Sequence, residues 1–391
     1  MTPAFGRPIR KLWGLADDAT LLNHGSFGAC PLEVLKAQDI LRREMEYQPD
    51  VFFRDKILPQ PGGTALRTAI GHLATFVKAT GDNLAFVENA SVGIQAVLRS
   101  LAFSPGDRIL ITNHTYNAMR LMVETRCAET GAEPLVVQIP LPVNRDDILS
   151  RFREALTPNV KLAIIDHITS PTALIFPLEE IIALLRQNGA RVLVDGAHGV
   201  GQIPLDVPKL GADWYVSNAH KWLFAPKGSA FLYASPTAAR ETQPNLISHF
   251  VHMGFPWSFD YIGTRDNTAW LATPAALKFF QDLGPDDVRT YQKRLIATGS
   301  DLLSAIGAAP VGPATMSAAM RSFILPQTRP AAADEGPALM RRLWTDEHIQ
   351  IAANTLDGKL VIRISAQVYV TQDDLRHFAA TLDRIGWPGR A

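Results

Sequence analysis

Short, uninterrupted apolar runs alternate along the first two thirds of the chain with longer segments whose apolar residues recur at helical spacing. Leu84-Ala85-Phe86-Val87, Arg108-Ile109-Leu110-Ile111-Thr112, Leu135-Val136-Val137, Lys161-Leu162-Ala163-Ile164-Ile165, Arg191-Val192-Leu193-Val194, Trp214-Tyr215-Val216 and Ala230-Phe231-Leu232-Tyr233 are the short runs. Runs of this length, rich in β-branched residues and bounded by Gly, Asp or Asn, have no polar face, so they predict strands covered on both sides. Helical spacing fills the intervals: a segment opened by Pro31 and reaching Glu46, another from Ala65 to Ala79, another ending at Leu101. Proline suits a first helical position because the N–H it lacks has no partner there. Strand and helix in turn predict a mostly parallel, seven-stranded-type sheet with helices on both faces.

From Trp270 onward the order changes. A long helix over 286–306, a strand over 321–325, a helix over 336–346 and a final helix near Thr371 surround two apolar stretches, Ile349-Gln350-Ile351-Ala352 and Lys359 to Ser365. Asp357-Gly358 between these stretches predicts a hairpin. The expected organisation is a large α/β domain over 31–265, with 1–30 and 266–391 forming a smaller α+β domain. An irregular stretch with aromatics at Phe250, Phe255, Trp257, Phe259 and Tyr261 is expected to be a lid or an interface.

Composition removes several classes of function. With 47% hydrophobic residues the chain is not disordered, and 38 basic residues balanced by 38 acidic ones without a single-sign run exclude a nucleic-acid or anionic-membrane partner. No apolar run is long enough for a membrane span, and the N-terminal residues lack the apolar core of a signal peptide. Two cysteines, Cys30 and Cys127, do not make a disulfide framework and fit a reducing compartment, so a cytoplasmic location is expected. No metal site is expected.

The chemistry gathers where two of the predicted strands end. Arg191 to Val194 runs into Asp195-Gly196-Ala197-His198, and Trp214-Tyr215-Val216 runs into Ser217-Asn218-Ala219-His220-Lys221-Trp222. In open α/β sheets ligands bind at the carboxyl edge. An amine and a carboxylate delivered there suit pyridoxal phosphate, whose chemistry needs a lysine for the Schiff base and an acid to keep the pyridine nitrogen protonated. Asn89-Ala90-Ser91-Val92-Gly93 reads as a helix start after a strand, a natural seat for a phosphate. Tyr116 follows another strand, where an aromatic ring could lie on a cofactor. Asn23 and His24 are equally suited to lining a pocket and to capping a turn. His24-Gly25-Ser26-Phe27-Gly28 lacks the G-x-S-x-G spacing, which removes a serine hydrolase.

Taken in order, Ser91-Val92-Gly93, Tyr116, Asp195-Gly196-Ala197-His198, Asn218-Ala219-His220-Lys221-Trp222, Gly263-Thr264-Arg265-Asp266 and Arg363-Ile364-Ser365 resemble class V aminotransferase-fold enzymes of fold type I. Asn23 to Gly28 and Ala225 to Ala230 resemble the isopenicillin N epimerase-like branch, and the resemblance spans nearly the whole chain. It implies that Lys221 forms the Schiff base and shuttles the Cα proton, that Asp195 pairs with the pyridinium nitrogen, and that His198 meets the ring oxygen. These three are the implied catalytic residues. Tyr116 would stack on the ring, with His114 as the alternative. Ser91 (or Ala90), Val92, His220 and Thr264 of a second subunit would hold the phosphate, with Ser170 and Asn218 completing the cofactor set. Arg363 would clamp the substrate carboxylate beside Asn23 and His24, a bidentate task suited to arginine. A homodimer with active sites at the subunit interface is implied.

Two departures narrow the reaction. Asn218 stands where relatives often carry serine, and no cysteine lies between Asp346 and Arg363, which counts against persulfide-forming desulfuration. The implied activity is amino-acid epimerisation at Cα, with β-elimination of sulfur, as in cysteine desulfhydrases and C–S lyases, as the alternative. Transamination and a non-catalytic binding protein rank below both.

Overall fold

The computed structural model describes residues 4–390. Its strands in chain order are β1 (Thr20–Leu21), β2 (Leu84–Val87), β3 (Arg108–Thr112), β4 (Glu133–Val137), β5 (Val160–Asp166), β6 (Arg191–Asp195), β7 (Trp214–Ser217), β8 (Ala230–Ala234), β9 (Ala309–Pro310), β10 (Met320–Ile324), β11 (Ile349–Gln350), β12 (Ala352–Leu356) and β13 (Lys359–Ser365). Seven of them form one sheet in the order β2-β8-β7-β6-β5-β3-β4. Only β8 runs against its neighbours; every other pairing is parallel. Because β8 opposes both β2 and β7, β2 points the same way as the rest, and six strands deliver their carboxyl ends to one edge.

The apolar runs have no polar face because both faces of this sheet are covered. Leu193 faces a cluster with Ile94 and Val97 of helix Ala90–Ser100 and with Met119 and Val123 of helix Asn117–Thr130. Its neighbours Val192 and Val194 face the opposite cluster, with Ile70 and Leu73 of Ala65–Phe76, Ile148 of Arg145–Ala155 and Ile181 of Leu178–Gln187. Successive residues of a strand point to opposite faces, so an all-apolar run serves two cores at once. Truncating one such residue, Leu193 for example, to alanine would cost about 2–5 kcal/mol.

The smaller body is a four-stranded antiparallel sheet, β12-β13-β10-β9, with helices Pro285–Ala305, Glu335–Glu347 and Gln372–Ile385 around it. The hairpin turns at Asp357 and Gly358, both at positive φ, as an Asp-Gly turn requires. Its first strand differs from the sequence expectation. Ala352–Leu356 pairs with β13, whereas Ile349–Gln350 pairs in parallel with Thr20–Leu21 from the N-terminal segment. The apolar run was long enough for one strand but serves two, because β1 offers it a second edge. Helices Thr268–Leu271 and Thr273–Asp282, expected in the small domain, pack instead on Leu32–Tyr47 and Ala65–Phe76 beside the large sheet. Their apolar faces, with Trp270, Ala276 and Phe280, join that core, and the long helix after Gly284 begins the smaller body. No helix among the described residues is long and apolar enough to cross a membrane.

Candidate active site

A cavity of about 460 Å³ opens at the carboxyl edge of the large sheet. Asp166 ends β5, Asp195 ends β6, and Lys221 follows β7 on a short helical turn, Ala219–Trp222. Ser91, at the start of helix Ala90–Ser100, lines the same space with Tyr116, Ser170, His198, Asn218 and His220. The sheet thus gathers residues that lie far apart along the chain.

The reacting end is defined by three side chains. Lys221 Nζ lies 3.3 Å from His198 Nε2, and Trp222 Nε1–H donates to His198 Nδ1 at 3.3 Å. Indole nitrogen only donates, so Nδ1 is the acceptor and the neutral imidazole carries its hydrogen on Nε2, facing the lysine. Burial, together with the Lys221 and Arg363 charges, holds His198 well below its ordinary value. Burial and Arg363 lower Lys221 to about 8, against a smaller opposing pull from Asp195. A lysine so placed exists in part as the free amine near neutral pH, the form that reacts with an aldehyde and accepts a proton.

Asp195 is held by the Ala197 N–H, which its Oδ1 accepts at 2.9 Å. The loop that supplies this N–H passes tightly over Tyr215: a Cβ at Gly196 would lie 2.1 Å from the Tyr215 ring, so the residue after the acid has no room for a side chain. Ser217 braces the same loop, donating to Gly196 O at 2.5 Å while accepting from Val200 N–H at 3.1 Å.

Arg363 sits behind the cavity wall. Its guanidinium donates to Ser170 O at 2.5 Å and to Asn23 Oδ1 and Ser26 Oγ at 3.1 Å each. None of these partners carries charge, and its Nε is buried with no partner among the described residues. Burial lowers Arg363 to about 10. A desolvated cation supplied only with neutral acceptors is a receptor for an anionic group.

The other expected residues divide. Asn218 Oδ1 accepts the Ala90 N–H at 2.8 Å, so Asn218 ties the lysine turn to the helix start. Val92 gives its N–H to the Asn89 cap and does not line the cavity. His220 lines it with Nδ1–H directed at Ser229 O, 3.0 Å away; burial holds this ring to about 4, and an anion beside it would oppose that shift. His24 lies beneath Lys221 rather than in the cavity: Nε2–H donates to Lys221 O at 2.9 Å and Nδ1 accepts from Tyr369 OH at 2.7 Å. Burial holds it neutral, to about 3, so it supports the lysine backbone. Thr264 meets Tyr261 OH at 3.1 Å outside the cavity of its own chain. His114 is buried between Thr172 and Ile139 O, so of the two expected stacking residues it is Tyr116 that lines the wall, together with Phe27.

Three further residues line the cavity and carry sequence signals of their own. Asp166 is a carboxylate at a strand's carboxyl end, like Asp195. Ser26 lies in the same short motif as Asn23 and His24. Glu88 follows β2 and pairs with Arg265, whose guanidinium lies 4.2 Å from the Trp270 ring. Cys30 and Cys127 do not line the cavity, and burial raises the Cys30 thiol to about 12. No metal-binding cluster occurs among the described residues.

The donor set fits pyridoxal phosphate: a lysine with a lowered pKa, a buried aspartate for a ring nitrogen, a helix start for a phosphate and a bare arginine for a carboxylate. Fold and site together define an enzyme of pyridoxal phosphate fold type I that acts at the Cα of an amino acid. The chain belongs to the class V aminotransferase family, whose model matches residues 62–378. It is 33% identical to a putative L-cysteine desulfhydrase of Oryza sativa subsp. japonica, over 93% of this chain and 82% of that protein. It is 29% identical to the isopenicillin N epimerase of Streptomyces clavuligerus, over 93% of this chain and 94% of the other. Among solved structures, a cystine C–S lyase in complex with its product cysteine persulfide shares the fold, with TM-score 0.78 and 22% identity over 94% of this chain and 98% of that one.

Proposed function

We propose that this enzyme removes the Cα proton of a cysteine-like amino acid and expels the sulfur substituent from Cβ. The observation that carries the reading is the placement of the proton-handling groups. Lys221 and His198 stand together at the reacting end, while His24 has both ring nitrogens engaged below the lysine and is not placed to act on the opposite face. Elimination needs a single base, whereas epimerisation needs a second acid across the substrate. The 33% identity to a desulfhydrase over nearly the whole chain supports the same choice.

In this reading Arg363 binds the substrate carboxylate, with Asn23, Ser26 and Ser170 fixing the plane of its guanidinium. Ser91, the helix start and His220 hold the phosphate of the cofactor, Tyr116 covers its ring, and Asp195 meets the ring nitrogen. Thr264 of a second subunit completes the phosphate site in a homodimer. Bound pyridoxal phosphate supplies the sink for the electron pair left at Cα. Lys221, as the free amine, takes the proton; the Cβ–S bond breaks as the thiolate leaves, and the ammonium of Lys221 returns a proton to it. With water the net products from cysteine are hydrogen sulfide, pyruvate and ammonia. His198 keeps Nε2–H directed at the reacting end because Trp222 occupies its other nitrogen.

Tyr116 supports a second reading. Its side chain lines the cavity and is half exposed, so its hydroxyl could serve as the second acid of an epimerase. Incubation with L-cysteine and, separately, with amino acids lacking a β leaving group, both in D₂O, separates the two. Sulfide and pyruvate without D-isomer are expected. Cα-deuterated D-isomer from the second set, abolished by Tyr116→Phe, would replace elimination with epimerisation.

A further inference from the structure

The floor of the cavity holds two acids. Asp166 and Asp195 are the last residues of neighbouring parallel strands and stand opposite each other in register. Neighbouring strands lie about 4.8 Å apart, and residues in register on adjacent strands face the same side. Both are buried, and both line the cavity. Two carboxylates so close and so far from water do not both ionise.

The surroundings decide which one keeps the proton. Burial raises Asp195 too, but it accepts the Ala197 N–H and feels the charge of Lys221, and both interactions oppose that rise and favour its anion. Asp166 has the Thr115 hydroxyl, which itself accepts the Thr112 N–H at 3.0 Å, and its own backbone N–H, and no ion pair reaches Asp166 among the described residues. The remaining titratable neighbours bring no positive charge. His167 follows Asp166 and is paired with Tyr215 OH at 3.0 Å, and burial holds both His167 and His198 neutral. Burial and the Asp195 charge accordingly push Asp166 well above the usual carboxylate range.

We infer that Asp166 is a neutral acid that shares its proton with Asp195, so that the pair presents one negative charge, tempered by a hydrogen bond, to the ring nitrogen of the cofactor. Asp166 is a positioning residue in this scheme. Its effect on the cofactor rests on the pyridoxal phosphate reading, whereas the shared proton does not.

Infrared difference spectroscopy of the native protein and Asp166→Asn, with and without cofactor, tests this. The expected result is a protonated-carboxyl C=O band at neutral pH in cofactor-stripped native protein that is missing from Asp166→Asn. Absence of that band from the native protein overturns the inference. In the holoenzyme, Asp166→Asn keeps a neutral donor and should leave cofactor affinity within about threefold and the pH midpoint of the visible band in place, whereas Asp166→Ala should weaken cofactor binding roughly tenfold. A shifted midpoint in Asp166→Asn, or equal losses in the two variants, overturns it as well. A native protein that shows the infrared band but stays colourless with added pyridoxal phosphate defeats the cofactor reading alone.

Discussion

Two buried arginines face opposite situations in this molecule. Arg67, on helix Ala65–Phe76, has a side chain 8% exposed and an ion pair with Asp260 at 3.0 Å; it also donates to Gly81 O and Leu84 O and lies 4.9 Å from the Trp257 ring. Arg363, 2% exposed, has neutral acceptors from three residues, Ser170, Asn23 and Ser26, and a bare Nε. The first is a completed contact holding a helix against the sheet and the aromatic segment. Its completion still leaves a cost, since Asp260 Oδ2 is buried without a partner and burial raises that carboxyl to about 7. The second is incomplete within the described chain, and so is Lys221 beside it. A folded chain keeps a desolvated cation without an anion where a ligand is to supply one.

The largest expected effect comes from breaking the completed pair. Arg67→Met leaves Asp260 uncompensated and should cost about 3–5 kcal/mol in urea unfolding, with kcat/KM of the folded fraction within about threefold of native. A loss of activity without a loss of stability would erase the contrast. Arg363→Gln should do the reverse, raising KM about 100-fold, worth roughly 2.7 kcal/mol, with stability unchanged or slightly higher. An unaltered KM would remove Arg363 from the carboxylate site.

Lys221→Met in the cofactor-free protein should stabilise by roughly 2 kcal/mol, because it removes a buried amine. The size of this advantage depends on pH. Lys221 is lowered from 10.5 to about 8 in the folded chain, so below pH 8 it is charged in both states and folding bears the full desolvation cost. Between pH 8 and 10.5 the unfolded chain binds more protons, native stability rises, and the advantage of the variant fades. A constant advantage across that window would contradict the assignment. The smallest effect is expected from Trp222→Phe, which frees His198 Nδ1 to carry the hydrogen. A rate loss of about tenfold, near 1.4 kcal/mol, should appear with unchanged cofactor affinity, checked by steady-state kinetics and cofactor titration.

Much of this arrangement was legible in the sequence. All-apolar runs fixed the doubly covered sheet, and Asp195 and Lys221 stood out as charged residues at strand ends. What escaped depends on contacts between distant segments. The run from Ile349 to Ala352 gave no sign of splitting, because the partner that divides it, Thr20–Leu21, lies over 300 residues away. The role of His24 under Lys221 depends on Tyr369, and Asp166 acquires its chemistry only from its register with Asp195. Residues 268–282 looked like the start of a new domain because helical periodicity says that a face is buried without saying against what.

The turn at Gly28 bears on the order in which the molecule is assembled. Gly28 has φ 71°, a Cβ there would lie 2.1 Å from His220 O and 2.9 Å from Lys221 Cα, and Lys227 Nζ holds its carbonyl at 3.0 Å. The backbone beneath the reactive amine is therefore pressed in place by residues translated almost two hundred positions earlier. On a ribosome the leading segment waits, unpaired, through synthesis of the whole large sheet, and β1 has no partner until Ile349–Gln350 emerges. Closure over such sequence distances is slow. The large sheet can thus be complete in sequence before the backbone beneath Lys221 gains the last of its supports, since the segment that carries Gly28 is joined to the smaller body through Ile349–Gln350.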